Sequence, residues 1–219
     1  AAPPGGWGPR GPRAGTLDPV VLVVGSGEQY GRHGDEEQPL PESAAQLPLT
    51  VYAASKAAQE VVALEAYRSD GVRVIATRSF NHSGPGQSPR FLIPALVSRA
   101  LQLRGARDAV LPVGNTTPVR DFLHVADVVD AYIRLVAHGA PGEAYNVASG
   151  RGTDVATLAG RVLALVGCDA KLQIDPTLVR PVDVPVLVGD AAKMRAATGW
   201  APEHTLDSII EDVIRATTH

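Results

Sequence analysis

The first sustained apolar stretch is Val20-Val21-Leu22-Val23-Val24, closed by Gly25-Ser26-Gly27. A short unbroken run of β-branched and aliphatic residues predicts a strand buried on both faces, as in a parallel sheet covered by helices. Residues 31–49 are polar and proline-rich and predict a loop. From Tyr52 to Tyr67 the chain is Ala-rich and free of Pro and Gly, which predicts a helix stopped at Ser69-Asp70-Gly71. Val72 to Thr77 predicts a second strand. After a loop over residues 81–89 the pattern predicts a helix over 91–103 and a short strand over 110–113. A helix over 124–136 follows, with Asp127 and Asp130 on its polar side, then a strand over 144–147 and an amphipathic helix over 155–166. The last part predicts a short strand over 186–188 and helices near Ala191 and over 206–216. Helix and strand alternating in this way is the signature of an α/β fold. No internal repeat is visible.

Composition narrows the class. Residues 1–16 are dominated by Gly, Pro, Ala and Arg, with Trp7 the main apolar group, and are expected to form a low-complexity, disordered segment. The whole chain of 219 residues is 45% hydrophobic and 20% charged, enough for a proper core. A formal net charge of −3 gives no electrostatic reason to expect nucleic acid or an anionic membrane as partner. Cys168 is alone, which rules out an internal disulfide framework, and no apolar run reaches the roughly 18 residues of a membrane span. The start shows neither Met nor the basic-then-apolar order of a signal peptide, so a cytoplasmic protein is expected.

A doubly wound dinucleotide-binding domain opens with a strand, a glycine-rich turn and a helix whose N-terminus holds the pyrophosphate. The glycines between Gly5 and Gly15 follow no strand, and Gly25-Ser26-Gly27 leads through Glu28 and Gln29 into a loop. Neither has the context of a dinucleotide fingerprint. The expectation is therefore a chain lacking the first part of such a domain.

Three features carry candidate chemistry in a telling order. Ser26 follows a buried strand, Tyr52 and Lys56 lie four apart on a helix, and Arg78-Ser79-Phe80-Asn81 follows the next strand. The spacing puts Tyr52 and Lys56 on one helical face. An ammonium beside a phenol favours the phenolate, drawing a group with an ordinary value of about 10 toward general acid/base work. Ser26, at the C-terminal edge of a strand, is placed to hydrogen-bond a substrate oxygen. Taken alone, a Tyr and a Lys at this spacing are equally what a solvated helix face offers. His82 and His124 suggest a metal only by residue type, since no ligand spacing accompanies them.

Together, Gly25-Ser26-Gly27-Glu28-Gln29-Tyr30-Gly31, Tyr52-Ala53-Ala54-Ser55-Lys56 and Arg78 to Gln87 resemble the extended short-chain dehydrogenase/reductases. Phe80-Asn81-His82, Gly84-Pro85-Gly86-Gln87 and Arg180-Pro181-Val182-Asp183-Val184-Pro185 with Gly189-Asp190 look most like the GDP-sugar branch of dehydratases and reductases. The resemblance covers residues 14–217. It implies the C-terminal part of a doubly wound parallel (Rossmann) sheet, with a smaller mixed substrate-binding domain. The implied division is a partial dinucleotide-binding domain over 17–80 and 121–150 and a nucleotide-sugar domain over 81–120 and 151–219.

The same resemblance implies Tyr52 as catalytic acid/base, Lys56 as its partner and nicotinamide-ribose contact, and Ser26 as third member. Phe80, Asn81 and His82 would face the cofactor, NADP or NAD. Asn81, Gly114, Asn115, Arg120, Arg180 and Asp183 would hold the nucleotide sugar: the arginines on the diphosphate, Asp183 on the ribose, Gly114-Asn115 at the base. By residue type alone, Asn81 and Gly114-Asn115 are also ordinary turn formers, and either arginine an ordinary ion-pair partner. Asp127 resembles an acid that fixes a loop. Glu28 falls where the branch's dehydratases carry the base for water elimination, but Ser26-Gly27-Glu28 lacks their middle hydroxyl or acid. That difference favours reduction of a GDP-4-keto-6-deoxyhexose at C4. GDP-mannose 4,6-dehydration, or a truncated chain that binds nucleotide sugar without turnover, stands as the alternative. A homodimer through the Tyr52 helix is also implied, with Ala57, Val61, Val62 and Leu64 offering interface or core.

Overall fold

The computed structural model describes residues 18–179 and 183–218. In chain order its elements are β1 (Val20–Val24), α1 (Val51–Asp70), β2 (Arg73–Ser79), β3 (Asn81–Ser83) and α2 (Leu92–Leu103). These lead to β4 (Ala109–Val113), β5 (Val119–His124), α3 (Val125–His138), β6 (Ala144–Val147) and β7 (Gly152–Asp154). The chain then forms α4 (Val155–Val166), β8 (Ala170–Ile174), β9 (Val186–Leu187), α5 (Ala192–Thr198) and α6 (Leu206–Thr218). This is the expected α/β architecture.

One parallel sheet has the order β1-β2-β6. Helices α1 and α3 both pack against β1 and β2, and β2 is buried from Val74 to Ser79, as a strand covered on both faces must be. Among the described residues β1 is the edge of this sheet, with Val21 and Val24 exposed. A second sheet joins β3, β5 and β7, with β9 alongside β5, and β4 pairs with β8.

Local sequence explains the helix ends. Thr50 accepts a hydrogen bond from the Ala53 amide at 3.0 Å and starts α1, while Gly71 ends it at φ 72°. Asp154 and Gly167 do the same for α4. Two cores result. The first gathers Ile75, Phe80, Leu123, Leu135, Tyr145, Met194 and Trp200; the second gathers Ile93, Leu96, Leu111, Leu158, Val162 and Ile210. Leu187, Met194 and Trp200, from the last fifth of the chain, pack in the first core.

Several expectations need correction. The loop predicted over 81–89 begins as strand β3, because Asn81, His82 and Ser83 pair with Phe122, Leu123 and His124. Strands β5, β7 and β8 were not predicted: in β5 the adjacent Arg120 and Asp121 break any alternation of apolar and polar residues, β7 is only three residues long, and β8 is largely exposed. Asp127 is not on a solvated face but 5% exposed. Its carboxylate accepts the Glu203 and His204 amides, each at 3.2 Å, and His204 Nδ1 at 2.8 Å. These bonds replace the water it loses, and they fix the loop leading into α6. On α1, Ala57 and Leu64 are part-buried, whereas Val61 and Val62 are exposed.

Candidate active site

At the end of β1 the Gly25 amide donates to the Thr77 carbonyl at 2.8 Å, which continues the sheet past Val24. A Cβ on Gly25 would lie 2.3 Å from both the Thr77 oxygen and Gln29 Oε1. Only glycine fits. Gly25→Ala is therefore expected to destabilise the fold by about 1–3 kcal/mol through overpacking, seen as a lower midpoint in urea unfolding, and to displace Ser26.

Ser26 caps a short 3-10 turn, Gly27–Tyr30. Its Oγ accepts the Glu28 amide at 3.2 Å and its own amide donates to Gln29 Oε1 at 2.7 Å. The other end of the Gln29 amide donates to Glu60 Oε2 at 3.0 Å. Glu60 and Arg78 form a buried two-pronged pair, with Nε to Oε2 at 3.0 Å and Nη2 to Oε1 at 2.7 Å. Arg78 also donates to the Tyr30 hydroxyl at 2.9 Å, which donates onward to Asn146 Oδ1 at 2.7 Å. Burial would raise the Glu60 carboxyl, but bonds and charge from Arg78 overcome this and hold it below the ordinary value. Burial also pushes the Tyr30 phenol up, so it stays a neutral donor. This network ties the Ser26 turn to α1 and β2.

The first turn of α1 presents Tyr52, 53% exposed, and the next turn presents Lys56. Lys56 Nζ donates to the Val24 carbonyl at 2.9 Å and to Gln59 Oε1 at 3.2 Å. Beyond β2, Phe80 is 2% exposed, its ring packed tightly on Gly27 and so closely on Gly189 that a Cβ there would lie 2.4 Å from it. His82 is oriented by a 3.0 Å bond between Nδ1 and the Phe80 carbonyl, and Ser83 donates to Gln87 at 2.7 Å. Asn115 Oδ1 accepts the Thr117 amide at 3.2 Å, an ordinary turn. Arg120 donates to Asp183, so these two expected substrate contacts form an ion pair. Arg180 lies outside the described residues.

One cleft of about 840 Å³ collects these groups. Ser26, Glu28, Tyr52, Lys56, Phe80, Asn81, His82, Gly114, Asn115, Arg120 and Asp183 all line it, and its apolar wall comes from both cores. Sequence reasoning missed Tyr132, whose hydroxyl lies 2.7 Å from Ser79 Oγ in the same cleft, and Arg99. It also missed Gln29 and Glu60. For Glu60 a signal existed: it lies four residues beyond Lys56, on the same helical face. For Tyr132 there was none. Among the described residues no group of His, Cys, Asp or Glu is arranged to hold a metal ion, and no helix is long and apolar enough to cross a membrane.

A family model described as GDP-mannose 4,6-dehydratase matches residues 15–213. GDP-6-deoxy-D-mannose reductase from Pseudomonas aeruginosa is 32% identical over 196 residues, covering 89% of this chain and 64% of that protein. dTDP-glucose 4,6-dehydratase from Xanthomonas campestris is 29% identical over 201 residues, covering 88% of this chain and 56% of that protein. Among solved structures, RMD from Pseudomonas aeruginosa complexed with NADPH superposes with a TM-score of 0.85 at 31% identity, covering 93% of this chain and 68% of that one. dTDP-glucose 4,6-dehydratase from Bacillus anthracis with NAD gives a TM-score of 0.79 at 27% identity, covering 90% of this chain and 61% of that one. The chain thus spans about two-thirds or less of the length of these curated relatives.

Proposed function

Because the chain belongs to the GDP-mannose 4,6-dehydratase family, we propose that its cleft takes a GDP-linked 4-keto-6-deoxyhexose and, with NADPH or NADH, reduces it at C4. The observation that carries this reading is the convergence of Ser26, Tyr52 and Lys56 on one cleft with Asn81, Arg120 and Asp183. We assign the dinucleotide side to residues 17–80 and 121–150 and the nucleotide-sugar side to 81–120 and 151–219.

The residues present fit the nicotinamide-ribose half of a dinucleotide. Lys56, anchored on Val24, offers an ammonium toward ribose hydroxyls, and the Ser79–Tyr132 hydroxyl pair sits beside the apolar Val125 and Val129. Among the described residues no glycine-rich turn leads from a strand into an α-helix to cradle the pyrophosphate. When bound, the dinucleotide supplies the hydride. Tyr52 donates a proton to the C4 oxygen as charge develops there, with the Lys56 ammonium one turn further along the same helical face. Ser26 donates from Oγ to the same oxygen, a role its cap geometry permits because its Oγ acts as an acceptor from the Glu28 amide, leaving its hydrogen to give. Arg120 is suited to the diphosphate and Asp183 to the ribose hydroxyls; nucleotide entry would then reorganise their ion pair. We assign Arg180 to the diphosphate as well. Gly114 and Asn115 border the base. The exposed Val61 and Val62 on α1 support a homodimer through that helix.

Glu28 in the cleft supports a second reading, elimination of water from GDP-mannose with Glu28 as the base. Product analysis separates the two. Incubation with GDP-mannose and a trace of dinucleotide should leave the sugar unchanged, whereas a GDP-4-keto-6-deoxy product would overturn the reductase reading. A thermal-shift series addresses a chain that binds without turnover: stabilisation by GDP and GDP-mannose but not by NADPH or NADP would identify it.

A further inference from the structure

We infer that Arg99 reads the base of the bound nucleotide, donating from its planar fork to O6 and N7 on one edge of guanine; this deepens, and rests on, the nucleotide-sugar reading of the cleft.

Arg99 projects from α2 into the cleft. Its Nη1 donates to the Pro112 carbonyl at 3.0 Å, next to the end of β4. That strand end is also tied to the segment after β8, because the Asp175 amide donates to the Val113 carbonyl at 2.8 Å. Gly114 approaches the same segment so closely that a Cβ on it would lie 2.4 Å from the Leu178 carbonyl oxygen. These contacts make one recess from α2, the end of β4 and the Pro176–Leu178 turn. Leu92, Leu96, Val113 and Leu178 supply apolar walls, and Arg99 supplies a cation.

Its charge is the unusual part. Among the described residues, the other buried or part-buried arginines each have a carboxylate at ion-pair distance: Arg78 has Glu60, Arg120 has Asp183 and Arg134 has Asp130. Arg99 is part-buried and has none. The acid in the adjoining segment, Asp175, accepts the Thr177 amide at 2.9 Å and hydroxyl at 2.7 Å, and these bonds, with the Arg99 charge acting from beyond ion-pair distance, hold its carboxyl below the ordinary value. One bond to a neutral carbonyl uses one of five guanidinium donors, and partly desolvated donors need acceptors.

A flat ring suits apolar walls better than a phosphate does, since a phosphate there would exchange its water for leucine side chains. Two adjacent acceptors on that ring match the arginine fork. Guanine offers O6 and N7 together, adenine places an amino donor beside N7, and uracil or thymine offers a single carbonyl oxygen on the corresponding edge.

The test is calorimetric titration of the protein with GDP, ADP and UDP, for the wild type, Arg99→Ala and Arg99→Lys, with thermal unfolding to confirm that each variant folds. The wild type should prefer GDP, and both variants should lose about tenfold or more of the GDP-over-UDP preference, within the range expected for one bidentate pair. Lysine keeps the charge without the fork, so a Lys variant that retained the full preference would overturn the inference. An equal fall for GDP and UDP would overturn it too, by making Arg99 a phosphate contact, as would an unchanged ratio. If the wild type binds GDP and only the ratio stays fixed, the base-reading role alone fails. If it binds no nucleoside diphosphate, the nucleotide-sugar reading itself fails.

Discussion

Arg78→Met is expected to lower the stability of the fold by about 3–5 kcal/mol, the typical cost of leaving one member of a buried ion pair uncompensated. Arg78 is 6% exposed and Glu60 3% exposed, so the stranded carboxylate has no route to bulk water. Its remaining partners, Gln29 at 3.0 Å and Gln46 at 2.8 Å, are neutral amides that cannot balance the charge. Urea unfolding would show the loss as a lower midpoint at unchanged slope. The pair also sets an acid limit. Glu60 titrates below its ordinary value in the folded protein, so its contribution is complete above about pH 4.5 and is lost as pH falls through the folded value. In Glu60→Gln that part of the acid limb should disappear, at lower stability throughout. The damage from Arg78→Met should reach the cleft as well, because Gln29 hands the network's geometry to the Ser26 amide.

Tyr52→Phe is expected to lower turnover of the keto sugar by about 10²–10⁴-fold, the usual worth of a positioned proton donor, while GDP affinity and thermal stability stay near wild type. The reason is positional. Tyr52 is half-exposed at the start of α1, and removing its hydroxyl disturbs neither the Thr50 cap nor the Lys56–Val24 bond. Steady-state kinetics beside a GDP titration would check this. A parallel loss of GDP binding would instead make Tyr52 a binding residue.

How much of this was legible depended on whether the deciding contact was local. β1, α1 and α4 were readable because their signals lie within a few residues: an unbroken β-branched run, an Ala-rich stretch free of Pro and Gly that stops at Ser69-Asp70-Gly71, and an amphipathic repeat over 155–166. Ser26, Tyr52 and Lys56 were readable as an ordered set, although the Glu60–Arg78 pair that supports them was not. The i, i+4 spacing puts Glu60 on the Lys56 face, but nothing in the sequence of β2 announces that its Arg78 guanidinium will meet that carboxylate. Asp127 shows the same limit from the other side. On a helical wheel it belongs to the polar face, and only the amides of residues 203 and 204, 76 or more positions away, make its burial tolerable. Strand β5 escaped because pairing partners on two sides, β3 and β7, stabilise a segment whose own pattern is interrupted by Arg120 and Asp121.

The measurement that tests the central claim most directly is transfer of deuterium from 4-deuterated NADPH to a GDP-4-keto-6-deoxyhexose, followed by NMR of the product sugar. The account predicts deuterium at C4 of a GDP-6-deoxyhexose, and loss of that label in Tyr52→Phe. A protein that binds GDP and the dinucleotide yet leaves C4 unlabelled would contradict it.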